Sequence, residues 1–143
     1  MKKIYISFLL FTILGCQQKV EDKRKPETED KNFEMYQMSE MSLLMEQMYV
    51  DNERLKQRIL KGETIGEFPN HFLKIHKAVM TKDKEKDAFF TNQASLFIAS
   101  QELIYKDQKN AKAHFNTSVT ACISCHEVKC GGPISRIKKL YIH

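Results

Sequence analysis

The apolar pattern of this chain predicts an all-α fold, a four-helix bundle, and three observations carry that expectation. Between Asn32 and Cys130, apolar side chains recur at three- and four-residue steps in four separate stretches. No stretch alternates apolar and polar residues as a half-buried strand would. Charged runs or glycine and proline divide one stretch from the next. Helices with one apolar stripe bury it against one another, so four of them joined by short connections give a bundle around a single core.

Two segments of another kind precede the bundle. Lys2 and Lys3 lead into the apolar run Ile4 to Leu14, and Gly15 and Cys16 close it. That is the layout of a secretory leader, with an apolar run too short to span a bilayer comfortably. A cysteine directly after a small residue matches the site where a bacterial lipoprotein is lipidated and cut. Residues 1–15 are then a signal peptide and Cys16 the lipidated first residue; an ordinary secretory leader with an incidental cysteine, or an uncleaved anchor, is the alternative. Residues 16–31 mix charges of both signs with one proline and almost nothing to bury, which suits a flexible, lipid-anchored tether. Removing the leader leaves about 128 residues, one modest domain at 32–130 with an extension at 131–143. The net charge of +5 shrinks to a mild excess without Lys2 and Lys3, and no basic stripe interleaved with aromatics is present, which argues against nucleic acid as a partner.

The first helix is expected from Asn32 to about Leu60, where Met35, Met38, Met41, Met45, Met48, Leu55 and Ile59 form one stripe. Lys61-Gly62-Glu63 ends it, and Gly66 to Pro69 is a loop. Asn70 then caps a short second helix running through Met80, with Phe72, Ile75 and Val79 as its buried row. The charged connector Lys82 to Asp87 leads to a third helix carrying Phe89, Phe90, Ala94, Phe97, Ile98, Leu103 and Ile104. The fourth begins between Asp107 and Ala111, passes through Phe115, Val119 and Cys122, and stops at Gly131-Gly132-Pro133.

On this last helix lies Cys122-Ile123-Ser124-Cys125-His126, and C-x-x-C-H is the attachment signature of a covalent c-type haem. At i, i+3 and i+4 both sulfurs and the imidazole share one helix face. The thiols add to the vinyl groups of haem as thioethers, and His126 becomes the proximal iron ligand. Its second ring nitrogen is expected to donate to a carbonyl or to water, which fixes the tautomer. Two other readings of these residues exist. A thioredoxin-like redox pair would need a βαβ context that is missing here, and a zinc site built from Cys122, Cys125, His126 and Cys130 would crowd four ligands into nine residues. Haem is attached outside the cytoplasmic membrane, so leader and motif support each other. Cys130 is then an odd thiol on the haem face, either buried and inert or redox-active.

With the motif on the last of four helices, the chain resembles the class II cytochromes c, the cytochrome c′ family, over Asn32 to Cys130. The resemblance implies a four-helix bundle with one haem on the C-terminal helix and Phe115, seven residues before Cys122, packed beside it. It also aligns Tyr36-Gln37-Met38-Ser39-Glu40-Met41 with the opening of the family's first helix. Met41 is thereby the residue facing the distal side of the iron, although Gln37 replaces the family's arginine. A methionine bound there gives a six-coordinate His/Met haem suited to electron transfer; a non-ligand leaves an open site that takes nitric oxide or carbon monoxide. Met38 and Met45, one turn either side, are the other candidate ligands, and each of these methionines also suits a core position. The family's basic residue after the haem histidine is displaced here, with Lys129 and Cys130 at the corresponding places.

His71 and His76 on the short helix are read as surface or rim histidines, with a bis-histidine haem as the alternative. His114 lies too far along the axis from Cys122 to reach the iron, and His143 is terminal. The extension, with Arg136, Lys138 and Lys139 among Ile134, Ile137, Leu140 and Tyr141, is expected to pack back over the bundle. Docking of an acidic redox partner is its other use. No acid, base and nucleophile constellation argues for an enzyme. The expectation is a monohaem cytochrome on the periplasmic side of a bacterial membrane, passing single electrons among periplasmic or membrane redox proteins. Pairing into a homodimer, as in many of the family, is compatible with it; gas binding at a five-coordinate haem and a purely structural haem are the competing readings.

Overall fold

The computed structural model describes residues 37–82 and 86–143. The leader, Cys16, the tether and residues 32–36 of the expected first helix lie outside the described residues. What is described is all-helical, with no strand among those residues. No described helix is long and apolar enough to cross a membrane.

Helix α1 spans Glu40–Lys61. It starts later than the methionine stripe suggested because Ser39 is an effective cap: its backbone is extended and its Oγ accepts the Ser42 N–H at 3.2 Å. Gly62, in the left-handed region at φ 66°, ends the helix and donates to the carbonyls of Arg58 and Ile59. The buried row is Met41, Leu44, Met48, Asn52 and Leu55, so the stripe is rotated from the expected one and Met38 lies at the surface.

The expected second α-helix is a 3-10 helix, Asn70–His76, and Asn70 does not cap it. Phe72, Ile75 and Ala78 are buried at three-residue steps. Within the 3-10 helix Phe72 and Ile75 stack on one side at three residues per turn, and Ala78 lies two residues beyond its end. Val79, expected in the buried row, is 56% exposed as a result.

Helix α2, Ala88–Lys106, begins at Asp87, whose Oδ1 accepts the Phe90 N–H at 2.9 Å. Its inner face carries Phe90, Ala94, Phe97, Ile98, Gln101 and Ile104, while Leu103 faces out. Helix α3, Ala111–Lys129, follows a 3-10 turn at Gln108–Asn110 and packs along α2 as the principal helix pair. Its end is dictated by Pro133, which lacks the N–H that would bond the carbonyl four residues earlier, that of Lys129, and whose ring would collide with it.

The extension packs back as expected. Helix α4, Ile134–Ile137, and a 3-10 turn at Lys138–Leu140 bury Ile137, Leu140 and Ile142. Lys56 Nζ donates to the carbonyls of Lys139 and Tyr141, both at 2.8 Å, and Asn116 exchanges two 2.9 Å hydrogen bonds with the backbone of Ile142. The segment is thus a strap tied to α1 and α3.

Two apolar clusters make the core. One gathers Met41, Leu44 and Met48 with Phe72, Ile75, Phe90 and Phe97; the other gathers Leu55 and Ile104 with Phe115, Val119, Ile123 and the strap's Ile137, Leu140 and Ile142. Cys122 packs against both. A buried polar contact also crosses three helices: Gln101 Nε2 donates to Asn52 Oδ1 at 2.6 Å and to Ser118 Oγ at 3.0 Å.

Candidate functional site

The last two turns of α3 carry Cys122, Cys125 and His126, and the helix stays regular through all three. Cys130, the first residue past it, turns its backbone to φ −159°, ψ 83°. Its carbonyl oxygen lies 3.0 Å from His126 Nδ1. A carbonyl only accepts, so Nδ1 carries the hydrogen and Nε2 is left with a lone pair. This is the tautomer a metal-binding imidazole needs, oriented by the type of partner that such ligands use.

Two cavities meet at His126. The larger, about 270 Å³, is bordered by Met38, Met41, Met45 and Met80, by Phe90, and by Cys125, His126, Lys129 and Cys130. The smaller, about 70 Å³, is bordered by Met45, Met48, Tyr49, Asn52 and Phe97, by Cys122 and His126, and by Arg136, Ile137 and Leu140 of the strap. Met45, Glu46, His126 and Pro133 border both. Each cysteine of the motif therefore opens on one side of the histidine, into a lining of thioethers and aromatic rings. A third hollow, about 440 Å³ between α1 and the 3-10 helix, has neither thiol nor imidazole in its lining.

Burial pushes the Cys122 thiol up to about 12, with Cys125 beside it as a second cause. Cys125 is raised as well, again chiefly by burial. Both are neutral thiols at neutral pH, the reverse of the low-pKa thiolate that a dithiol redox motif requires. Among the described residues no three His, Cys, Asp or Glu side chains converge as a metal-holding group.

No family model, no curated protein and no solved structure matches this chain.

The fold brings Cys125, His126 and Met41 to one cavity, with Met38 and Met45 beside them, and it adds Met80. Met80 stands on an irregular segment after the 3-10 helix, where no periodicity could single it out. Phe115 is fully buried in the second cluster, against which Cys122 also packs, and it does not border either cavity. Seven residues are two helical turns, roughly 10 Å along the axis from Cys122. The rings at the cavities are Phe90, Phe97 and Tyr49. Phe90 and Phe97 share the inner row of α2, a signal the sequence did contain.

The other histidines are engaged elsewhere. His71 Nε2 meets Asp51 Oδ2 at 2.9 Å, and His114 Nε2 meets Asp107 Oδ2 at 3.0 Å and holds that carboxyl below its usual range. Neither borders the two cavities, nor do His76 and His143. Lys129 pairs with Asp87 at 2.6 Å, fastening the end of α3 to the start of α2. Cys130 is exposed and borders the larger cavity.

Proposed function

We propose that this chain is a monohaem c-type cytochrome that carries single electrons, held by lipid on Cys16 at the periplasmic side of a bacterial membrane and exchanging electrons with periplasmic or membrane redox proteins. The observation that carries the proposal is the His126 imidazole, held by the Cys130 carbonyl in the metal-binding tautomer where two cavities meet, each bordered by one motif cysteine. In this reading α1, the 3-10 helix, α2 and α3 are the four members of a class II bundle, the second shortened, and haem sits on α3.

Cys122 and Cys125 supply the thioether sulfurs, and His126 Nε2 supplies the proximal ligand. Haem contributes the one-electron couple between ferric and ferrous iron. The residues of the chain would do the rest: the apolar cavity linings would limit water around the bound group, and a methionine of α1 would supply a second sulfur ligand. Met41 is the residue implied by the family register. Met45 has the better position, because it alone among the methionines borders both cavities together with His126. A methionine that would ligate a group held by both cysteines has to reach the space beside each of them, and Met45 borders the cavity of Cys125 and that of Cys122. The reading assigns no enzymatic turnover.

A five-coordinate, gas-binding haem is the competing reading, favoured by the burial of Met41 within the first core cluster, where a thioether serves as packing. Ferric and ferrous absorption spectra of the haem-loaded domain, with and without carbon monoxide, separate the two. A low-spin spectrum with a sulfur-to-iron charge-transfer band and no gas shift supports electron transfer. A high-spin spectrum that shifts with the gas supports the alternative, and absence of covalent haem overturns both. Met45→Leu should abolish the charge-transfer band and Met41→Leu should spare it; the reverse pattern restores the family register.

A further inference from the structure

We propose that Gln101 is a positioning residue: through Asn52 it sets α1, and with it the candidate methionine ligands, against the motif helix. That these methionines approach iron rests on the cytochrome reading above; the tie between the helices does not. α2 and α3 pack along each other as the principal helix pair, and α1 meets them more sparsely. Among the described residues, the bond from Gln101 Nε2 to Asn52 Oδ1 is the one hydrogen bond that joins α1 directly to either of them. The other polar contacts that α1 makes beyond itself run to the strap, the 3-10 helix and the irregular segments. Packing does little to fix its axial position near the motif. Met38, Met41, Met45 and Met48 recur at three- and four-residue steps, and one thioether fills the place of another at small cost. A metal ligand has to be held within about 0.5 Å, which needs a directional contact.

The amide pair supplies one beside the site. Asn52 borders the smaller cavity, and Ser118 stands one turn before Cys122 on α3. Asn52 Nδ2 donates to the Met48 carbonyl at 2.8 Å, which leaves Oδ1 to accept from Gln101 Nε2 at 2.6 Å. The other Nε2 hydrogen goes to Ser118 Oγ at 3.0 Å, and the Ser118 hydroxyl donates to the Phe115 carbonyl at 2.8 Å. Both amide orientations are thereby forced, and Gln101 Oε1 is buried with no hydrogen-bond partner among the described residues. An unmatched buried carbonyl cancels part of what these bonds contribute, so stability alone does not explain the network. A polar pair in an apolar seam fixes the placement of helices at a cost in stability, and that is the use this arrangement fits.

The test compares wild type, N52L/Q101L and S118A as haem-loaded full chains, isotope-labelled at the methionine methyls for NMR. The double variant replaces both partners by apolar groups, so its urea midpoint should equal or exceed that of wild type. Its Met41 and Met45 methyl resonances, two and three turns from residue 52, should nonetheless shift and split, and the sulfur-to-iron charge-transfer band should weaken. S118A loses a buried hydrogen bond of the same network but keeps the tie to α1, and should leave methyls and band at their wild-type positions. Unmoved Met41 and Met45 methyls in N52L/Q101L, or equal changes in S118A, overturn the assignment. A double variant that has a lower midpoint or does not fold overturns it too, because the pair would then serve stability. A wild type that takes up no haem overturns the cytochrome reading alone, since the same methyl comparison on the haem-free chain still decides the tie.

Discussion

The strap offers the most direct test of how this small domain is held together. Leu140 is 3% exposed and packs in the second cluster among Leu55, Ile123 and Ile137. Truncating a leucine at such a site costs about 2–5 kcal/mol, from lost transfer energy plus the cavity left behind. The adjoining smaller cavity, which Leu140 already borders, puts Leu140→Ala toward the lower half of that range, because the new space merges with an existing one and the neighbours can relax. The polar ties add little by comparison: Lys56→Gln removes two bonds at the surface, worth about 0.5–1.5 kcal/mol each at most. Urea unfolding of the haem-loaded domain, followed by far-ultraviolet circular dichroism, gives both differences from midpoints at constant slope. A domain of this size has about 5–15 kcal/mol to lose, so Leu140→Ala should lower the midpoint substantially and Lys56→Gln slightly. If Leu140→Ala cost less than about 0.5 kcal/mol, the size of a neutral surface change, the strap would be detached in solution and its part in the site would fall with it.

Asp87 has its carboxyl held below the usual range by Lys129 first and by the Phe90 N–H second, so its stabilising contribution is present above the unfolded value of 3.8 and is lost as pH falls through the lower folded value. Asp87→Asn keeps a helix cap but loses the ion pair; its stability deficit should be constant near neutrality and vanish in acid, and a deficit unchanged down to pH 2 would mean that the charge is irrelevant. In the haem-free protein at pH 8, iodoacetamide should modify exposed Cys130 first, Cys125 more slowly and Cys122 last, as mass spectrometry of the peptides will show; rapid labelling of Cys122 would contradict its burial. Cys16→Ser should move the protein from the membrane fraction to the soluble one, and unchanged membrane association would remove the lipid anchor from the proposal.

The helices were legible where local chemistry had no competitor. Gly62 ends α1 and Asp87 precedes α2 as their local chemistry dictates, and the last helix starts and ends where its flanking residues dictate, whereas the methionine stripe hid the cap at Ser39 that starts α1. The second segment was misjudged for a physical reason: Phe72 and Ile75 fit both helical periods, and the chain leaves helical geometry after His76, so Val79 never reaches the row that a helix through Met80 would give it. For the proposed distal methionine, sequence spacing cannot tell Met41 from Met45. They are one turn apart on the same side of α1, and the choice depends on the axial register between α1 and α3, a tertiary quantity. Met80 and Arg136 reach the cavities from segments without long periodicity, so nothing in their neighbourhood announced them.

The end of α3 joins folding and chemistry most closely. Because Pro133 cannot accept a place in a helix continuing from Lys129, the chain leaves helical geometry at Cys130. That departure lets one residue act twice on His126: the Cys130 N–H donates to the His126 carbonyl, and the Cys130 carbonyl, at 3.0 Å, takes the hydrogen bond from the ring. In a helix that continued, the carbonyl of residue 130 would point on toward an N–H four residues ahead and be lost to the imidazole. The stop signal is therefore a component of the site. The identity of the side chain at 130 is secondary, since the contact is made by its backbone. Cys130→Ser should accordingly leave the proposed iron ligation by His126 unchanged, whereas Pro133→Ala, which permits another turn of helix, should weaken it. Near-infrared and Soret spectra of the two variants measure that difference, and equal behaviour would show that the ring is oriented by something other than the helix end.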